Sequence, residues 1–241
     1  MEWWQNFYGD IYRVLIETPR WTWLVDALWI SLQVSFYGIL LGIVLGLILA
    51  AMNMAKGEVF GIRWLDKLIT KILNGIAYIY LDIIRGTPVL VQLFIWRFVI
   101  FSGTGVSWLN VAIIAVGFNS GAYVAEIMRA GILSIDKGQG EAGRSLGLTT
   151  AKTMGFIVMP QAIKNILPTL VNEFIILIKE TAIVGFIGVP DLMQAARRIE
   201  GASFVPWVPY FAVAIIYYVI IKILTIFLGK FERHLRKSDI R

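Results

Sequence analysis

Few residues in this chain could do covalent chemistry. There is no cysteine, which excludes thiol catalysis, disulfides and thiolate metal sites. The single histidine, His234, stands among Arg233, Arg236 and Lys237 and reads as a solvated side chain rather than a metal ligand. No Gly-x-x-x-x-Gly-Lys-Ser/Thr phosphate loop occurs, so the chain does not hydrolyse ATP by that route. What remains is a set of polar groups set inside apolar sequence. Glu173 lies beside Asn172, Asn119 and Ser120 precede Tyr123 by one helical turn, and Gln92 and Asp82 stand closer to the N-terminus. Charge in an apolar span is costly, so such groups point to a polar cavity for a solute. The competing reading is hydrogen bonding between helices, for which buried Asn, Gln and Ser also serve.

The elements that must position these residues are membrane helices. Apolar residues make up 58% of the chain and charged ones 16%, more apolar surface than a soluble domain of this size could hide. The runs 27–55, 98–125 and 202–221 hold no charged residue. Two further spans start at Pro88, where proline suits a first helical turn, and near Pro160, the latter continuing past Lys179. The expected fold is therefore an all-α integral membrane protein of about five transmembrane helices. The segment 64–85 carries Asp66, Lys67, Lys71, Asp82 and Arg85 and reads as a helix in the cytoplasmic leaflet, after which Pro88 restarts the crossing.

Charge sets the orientation. The net charge of +6 flanks the apolar runs, which points to membrane topology and not to nucleic acid. Lys56, Arg63, Lys67 and Lys71 follow the first span; Lys137, Arg144 and Lys152 lie in the loop after the third. Lys230, Arg233, Arg236, Lys237 and Arg241 follow the last. With these inside, the N-terminus is outside, and only Arg197 and Arg198, offset by Asp191 and Glu200, run against the rule. Residues 1–22, rich in Trp and Tyr and carrying acids unlike a signal peptide, form an outer interfacial segment. Residues 23–232 form one transmembrane domain and 233–241 a basic cytoplasmic tail.

The polar, glycine-punctuated stretch 138–168 breaks this apolar pattern. A short helix over 135–146, a reversal at Gly147 and a cap at Thr149 or Thr150 predict a helix–turn–helix knob. The spacing of Glu141-Ala142, Gly147, Ile157 and Pro160 resembles the cytoplasmic docking loop of ATP-binding-cassette importer permeases. Arg85-Gly86-Thr87-Pro88 with its following VLVQLF, the block from Gly121 to Ile132, and Asn172-Glu173-Phe174 with Lys179-Glu180-Thr181-Ala182 resemble the polar amino acid branch of that family, of histidine, arginine, lysine and glutamine type. The resemblance spans about residues 21 to 230.

The resemblance implies a permease subunit that binds no cofactor, in a prokaryotic plasma or inner membrane. Two partner ATPases would use ATP and Mg, a second permease chain, read here as an identical copy, would complete the pore, and an external binding protein would deliver the amino acid. Residues 135–157 would form the docking loop, with Glu141 as a charge partner, Ala142 and Gly143 as a close-packed face, and Arg144 and Gly147 completing it. The family's usual third residue is alanine, so Gly143 is expected to thin the docking face. Glu173, Asn119, Asn172, Gln92, Ser120, Tyr123 and Asp82 are the candidates for substrate. Glu126 and Arg129, at i,i+3, are expected to pair with each other or with the tail of the cavity, and Asp82 and Arg85 stand in the same relation; both pairs are read as structural or gating, alongside Pro88, with Lys179 and Glu180 at an outer gate. Glu173 and Asp82 favour a cationic amino acid; glutamine or glutamate is the competing cargo. An autonomous secondary transporter or channel would need coupling-ion sites or an inverted repeat, and the sequence shows neither.

Overall fold

A computed structural model describes residues 2–54 and 63–236; Lys56, Lys237 and Arg241 lie outside them. Among the described residues the chain is helical, without strands. The helices are α1 (Glu2–Ile11), α2 (Trp21–Met54), α3 (Arg63–Gly86), α4 (Val89–Ile95), α5 (Trp108–Leu133), α6 (Lys137–Ser145), α7 (Thr150–Thr153), α8 (Met159–Glu180), α9 (Leu192–Ser203) and α10 (Trp207–Arg236). The helices α2, α5 and α10 are each long and apolar enough to cross a membrane. A fourth candidate is the pair formed by α3 and the 89–100 helix, bent by 109° at the intervening break.

Helices α2 and α5 form the centre of the bundle. Gly38, Gly42 and Gly46 of α2 face Val116, Ser120 and Val124 of α5, while Gly117 and Gly121 of α5 receive Leu41 and Leu45. Removing Cβ at every fourth residue lets two backbones approach closely, the usual solution where lipid supplies no hydrophobic drive between helices. Residue numbers rise together along both helices, so the two are parallel. The chain between them must return to its starting end.

The return is made by α4. Gln92 meets Asn119, Trp96 packs on Phe118 with ring centroids 4.7 Å apart, and the Arg97 guanidinium lies 4.8 Å from the Trp108 ring centroid. Helix α4 and its π-helical extension Trp96–Ile100 thus climb antiparallel to α5. At 1.5 Å per residue this stretch covers about 18 Å, short of a hydrocarbon core of about 30 Å. The 109° bend lays α3 across the bundle rather than along it, as expected for a segment with amphipathic charge, and Ala77 and Leu81 seat it on Leu49, Ala122 and Ala125. The turn after α4 uses Gly103 and Gly105, both with positive φ.

Helix α8 returns antiparallel to α5: Ile166 sits on Gly131, Asn165 bonds Ser134, and Glu173 meets Ser120. At the end opposite α6, helix α9 packs with Val14, Leu24, Val208 and Val213, drawing the N-terminal helix onto the start of α10. Asp191 caps α9 by accepting from the backbone N–H groups of Met193 and Gln194. Burial pushes its carboxyl up to about 6, against those two donors, which pull it down. Helix α10 then runs away from that end with most of its apolar surface exposed.

A Cβ on Gly46 would stand 2.6 Å from the Val124 Cβ and 2.9 Å from the Ala125 nitrogen, whereas one on Gly75 would meet nothing within 4 Å. Gly46→Ala should therefore lower the thermal midpoint of the purified protein. Gly75→Ala should raise stability by about 0.5–1 kcal/mol through helix propensity alone. Equal responses would show that the α2–α5 approach is not tight.

Candidate functional site

Two concave spaces share the wall formed by Arg85, Tyr123 and Glu126. The first, of about 490 Å³, lies between α5 and α8 and runs from Ile176 and Glu173 to Asn165 and Ser134, next to α6. The second, of about 710 Å³, lies between α3 and α5 and adds Asn53, Asp82 and Arg129. Asn165, Thr169 and Asn172, spaced by four and three residues, present one polar face of α8 to the first space. Pro168 within α8 removes one backbone donor from the same turn.

Five of the seven sequence candidates for substrate take part in this arrangement in different ways. Glu173, Asn172 and Tyr123 line the first space, and Asp82 and Tyr123 the second. The Glu173 side chain is 7% exposed and accepts from the Ser120 hydroxyl at 3.1 Å; among the described residues no cation pairs with it. Ser120, fully buried under Gly42, thus orients Glu173 from behind. Gln92 and Asn119 line neither space. The Asn119 amide donates to Gln92 at 3.0 Å, and Gln92 donates to backbone oxygens at the α3–α4 break.

The ion pairs are rearranged from expectation. Glu126 and Arg129 do pair, with the Arg129 Nε donating at 3.1 Å. Arg85, however, reaches across to Glu126 of α5 at 3.8 Å and not to Asp82 of its own helix. Glu126 therefore stands between two guanidinium groups from different helices. All three are partly exposed to the cavity, so the pairing is easily broken. Lys179 is exposed at the far end of α8, and Pro88 is the N-cap residue of α4.

The knob at the other end of the cavity is built as two capped helices. Asp136 caps α6 through the Gly138 N–H at 2.6 Å and Thr149 caps α7 through the Lys152 N–H at 3.3 Å. Gly147 lies between them at φ +80°, a left-handed conformation that favours glycine. Glu141, Ala142 and Arg144 are exposed. Gly143 is not on that face. It is buried against the body of the knob, where a Cβ would stand 2.6 Å from the Thr153 Cγ2 and 2.9 Å from the Ile157 Cδ1. Glycine here does not thin the docking face; it makes room for the β-branched Thr153 behind it. The sequence reading also passed over Leu146, beside the Gly147 reversal, and Phe156, in the following helix, which are 81% and 76% exposed. Only for Leu146 did the sequence carry a signal, an apolar side chain within a polar loop.

A model of the family described as the binding-protein-dependent transport system inner membrane component matches residues 38–237. The chain belongs to that family. The permease is 44% identical over 167 residues to the arginine transport system permease protein ArtQ of Bacillus subtilis, covering 68% of this chain and 76% of that protein. It is 36% identical over 168 residues to the glutamine transport system permease protein GlnP of Escherichia coli K12, covering 68% and 77%. Its structure matches a crystal structure of an amino acid ABC transporter with histidines at a TM-score of 0.79 and 38% identity, over 88% of this chain and 94% of the other. A chain of the MetNI methionine ABC transporter, in an inward-facing conformation, matches at a TM-score of 0.68 and 18% identity over 90% and 98%, a likeness of fold.

Gly143→Ala should loosen the knob, raising backbone amide exchange across residues 137–145. Thr153→Ala in the same chain should restore protection by removing the clashing methyl and hydroxyl. Unchanged exchange in Gly143→Ala alone would refute the tight contact.

Proposed function

We propose that this permease is the membrane subunit of an ATP-driven importer whose cargo is a basic amino acid: arginine, lysine or histidine. The observation that supports this reading is Glu173. It is a buried carboxylate on the wall of a cavity large enough for an amino acid, held by Ser120 and, among the described residues, without a paired cation. Asp82 and Glu126 add negative charge to the adjoining wall, Arg85 and Arg129 offer donors for a carboxylate, and Asn172, Thr169 and Tyr123 supply hydrogen bonds. A zwitterion with a cationic side chain matches that set. The similarity to ArtQ agrees with it. The similarity to GlnP supports glutamine as the second reading, because a neutral amide needs no unpaired acid.

In this reading the chain crosses the membrane five times, through α2, α4 with α3, α5, α8 and α10, with the N-terminus outside and the knob and C-terminus in the cytoplasm of a prokaryotic cell. The parallel pairing of α2 with α5 and the antiparallel course of α8 support that count. The exposed face of α6, with Leu146 and Phe156, docks one of two ATPase subunits that use ATP and Mg. A second copy of the permease closes the cavity, lipid covers the remaining apolar faces, and an external binding protein supplies the amino acid. In this reading the knob is cytoplasmic, and the reach of the first space to Asn165 and Ser134 near the knob supports an inward-open state. ATP binding would draw the knobs together and turn the cavity outward, and hydrolysis would return it.

The test is ATPase activity and uptake by the assembled transporter in liposomes across a panel of amino acids. Arginine, lysine or histidine should stimulate hydrolysis, and Glu173→Gln should reduce their uptake at least about tenfold while sparing glutamine. Equal loss for basic and neutral cargo would reassign Glu173 to structure. Stimulation by glutamine alone would select the second reading.

A further inference from the structure

The break between α3 and α4 leaves carbonyl oxygens without their helical donors, those of Ile84 and Thr87 among them. In a continuous helix the Ile84 oxygen would accept from the N–H of residue 88, but residue 88 is proline and has none. The Thr87 oxygen is bypassed as well, because the N–H groups of Val91 and Gln92 both turn to Pro88. In a membrane protein irregular backbone persists where it lines a cavity or where side chains supply the missing donors. The Gln92 amide does so. Its Nε2 donates to Ile84 at 2.7 Å, and lies 3.1 Å from the Thr87 carbonyl and 2.8 Å from the Thr87 hydroxyl. Its Oε1 accepts from Asn119 of α5 at 3.0 Å, which fixes the amide with its nitrogen toward the break. The side chain is 6% exposed and its hydrogen-bonding capacity is used within the protein.

We propose that Gln92 is a positioning residue that holds the α3–α4 bend and latches it to α5. Helix α5 ends at Leu133, three residues before Asp136 caps the docking helix, so a displacement of α6 acts directly on α5. Through Asn119 and Gln92 the same displacement reaches the bend, and with it Asp82 and Arg85, which line the second space. The contact of Arg85 with Glu126 ties the same two elements a second time, but between partly exposed groups. The latch makes one wall of the cavity move with the knob. This role rests on the importer reading above and extends it to transmission between the knob and the cargo space.

The chain has no cysteine, so label pairs can be introduced without background. With spin labels at Ile79 and Val99, both exposed, the bend can be read as a distance in the assembled transporter. Gln92→Leu removes all of the bonds, and Gln92→Glu keeps the size but replaces the donor with an acceptor facing carbonyl oxygens. Both should broaden the distance distribution and lower uptake per ATP hydrolysed by about tenfold or more. The KM for the amino acid should stay within about twofold of wild type. Wild-type uptake per ATP in either variant would overturn the latch. So would Gln92→Glu tightening KM for arginine, which is the outcome for a direct cargo ligand. If Gln92 variants fail to assemble, Asn119→Ser decides: the bend distance should hold while uptake per ATP falls, and wild-type coupling would overturn the link to α5. A wild-type transporter that moves no amino acid would instead refute the importer reading, independently of the latch.

Discussion

The parallel contact between α2 and α5 constrains everything else in this chain. Five glycines, three on one helix and two on the other, bring the backbones so close that a Cβ at any of the five would crowd the facing residue. Two consecutive long apolar helices would more simply pack antiparallel through a short loop. Parallel packing obliges the intervening chain to return to the first end, and α3 and α4 make that return by a bent path. The bend is the topological consequence of the glycine contact.

Once the chain bends inside the membrane, its freed backbone groups need partners. That requirement explains why polar residues on the buried side of α4 and α5 face each other instead of a solute. Gln92 and Asn119 serve the break, and Ser120 serves Glu173. The cavity-lining residues lie one helix face further round, where Tyr123, Glu126 and the polar face of α8 border open space. Residue type alone could not separate these roles, because an amide that satisfies a carbonyl and an amide that binds a ligand look the same in sequence.

The knob shows the same division at smaller scale. Its reversal at Gly147 and its cap at Thr149 were legible, since both act through local backbone geometry that short spacing encodes, whereas the Asp136 cap of α6 was not named. The orientation of Gly143 was not. Whether a helical glycine faces a partner or its own fold depends on where Thr153 and Ile157 arrive from beyond the turn. The expected Asp82–Arg85 pair failed for a like reason: i,i+3 spacing permits a pair, but the packing of α3 on α5 offered Arg85 a carboxylate on another helix.

The sequence by itself determined that lipid is the solvent, where the apolar helices lie, that no thiol or phosphate-loop chemistry occurs, and that a capped knob interrupts the spans. These follow from composition and from interactions among residues a few positions apart. Tertiary structure decided that α2 and α5 run parallel, that α3 lies across the bundle, and which of the buried polar residues border the cavity. Those outcomes depend on contacts between residues 27 to 80 positions apart, such as Gln92 with Asn119, Ser120 with Glu173 and Gly38 with Val116, and on packing that no local pattern specifies.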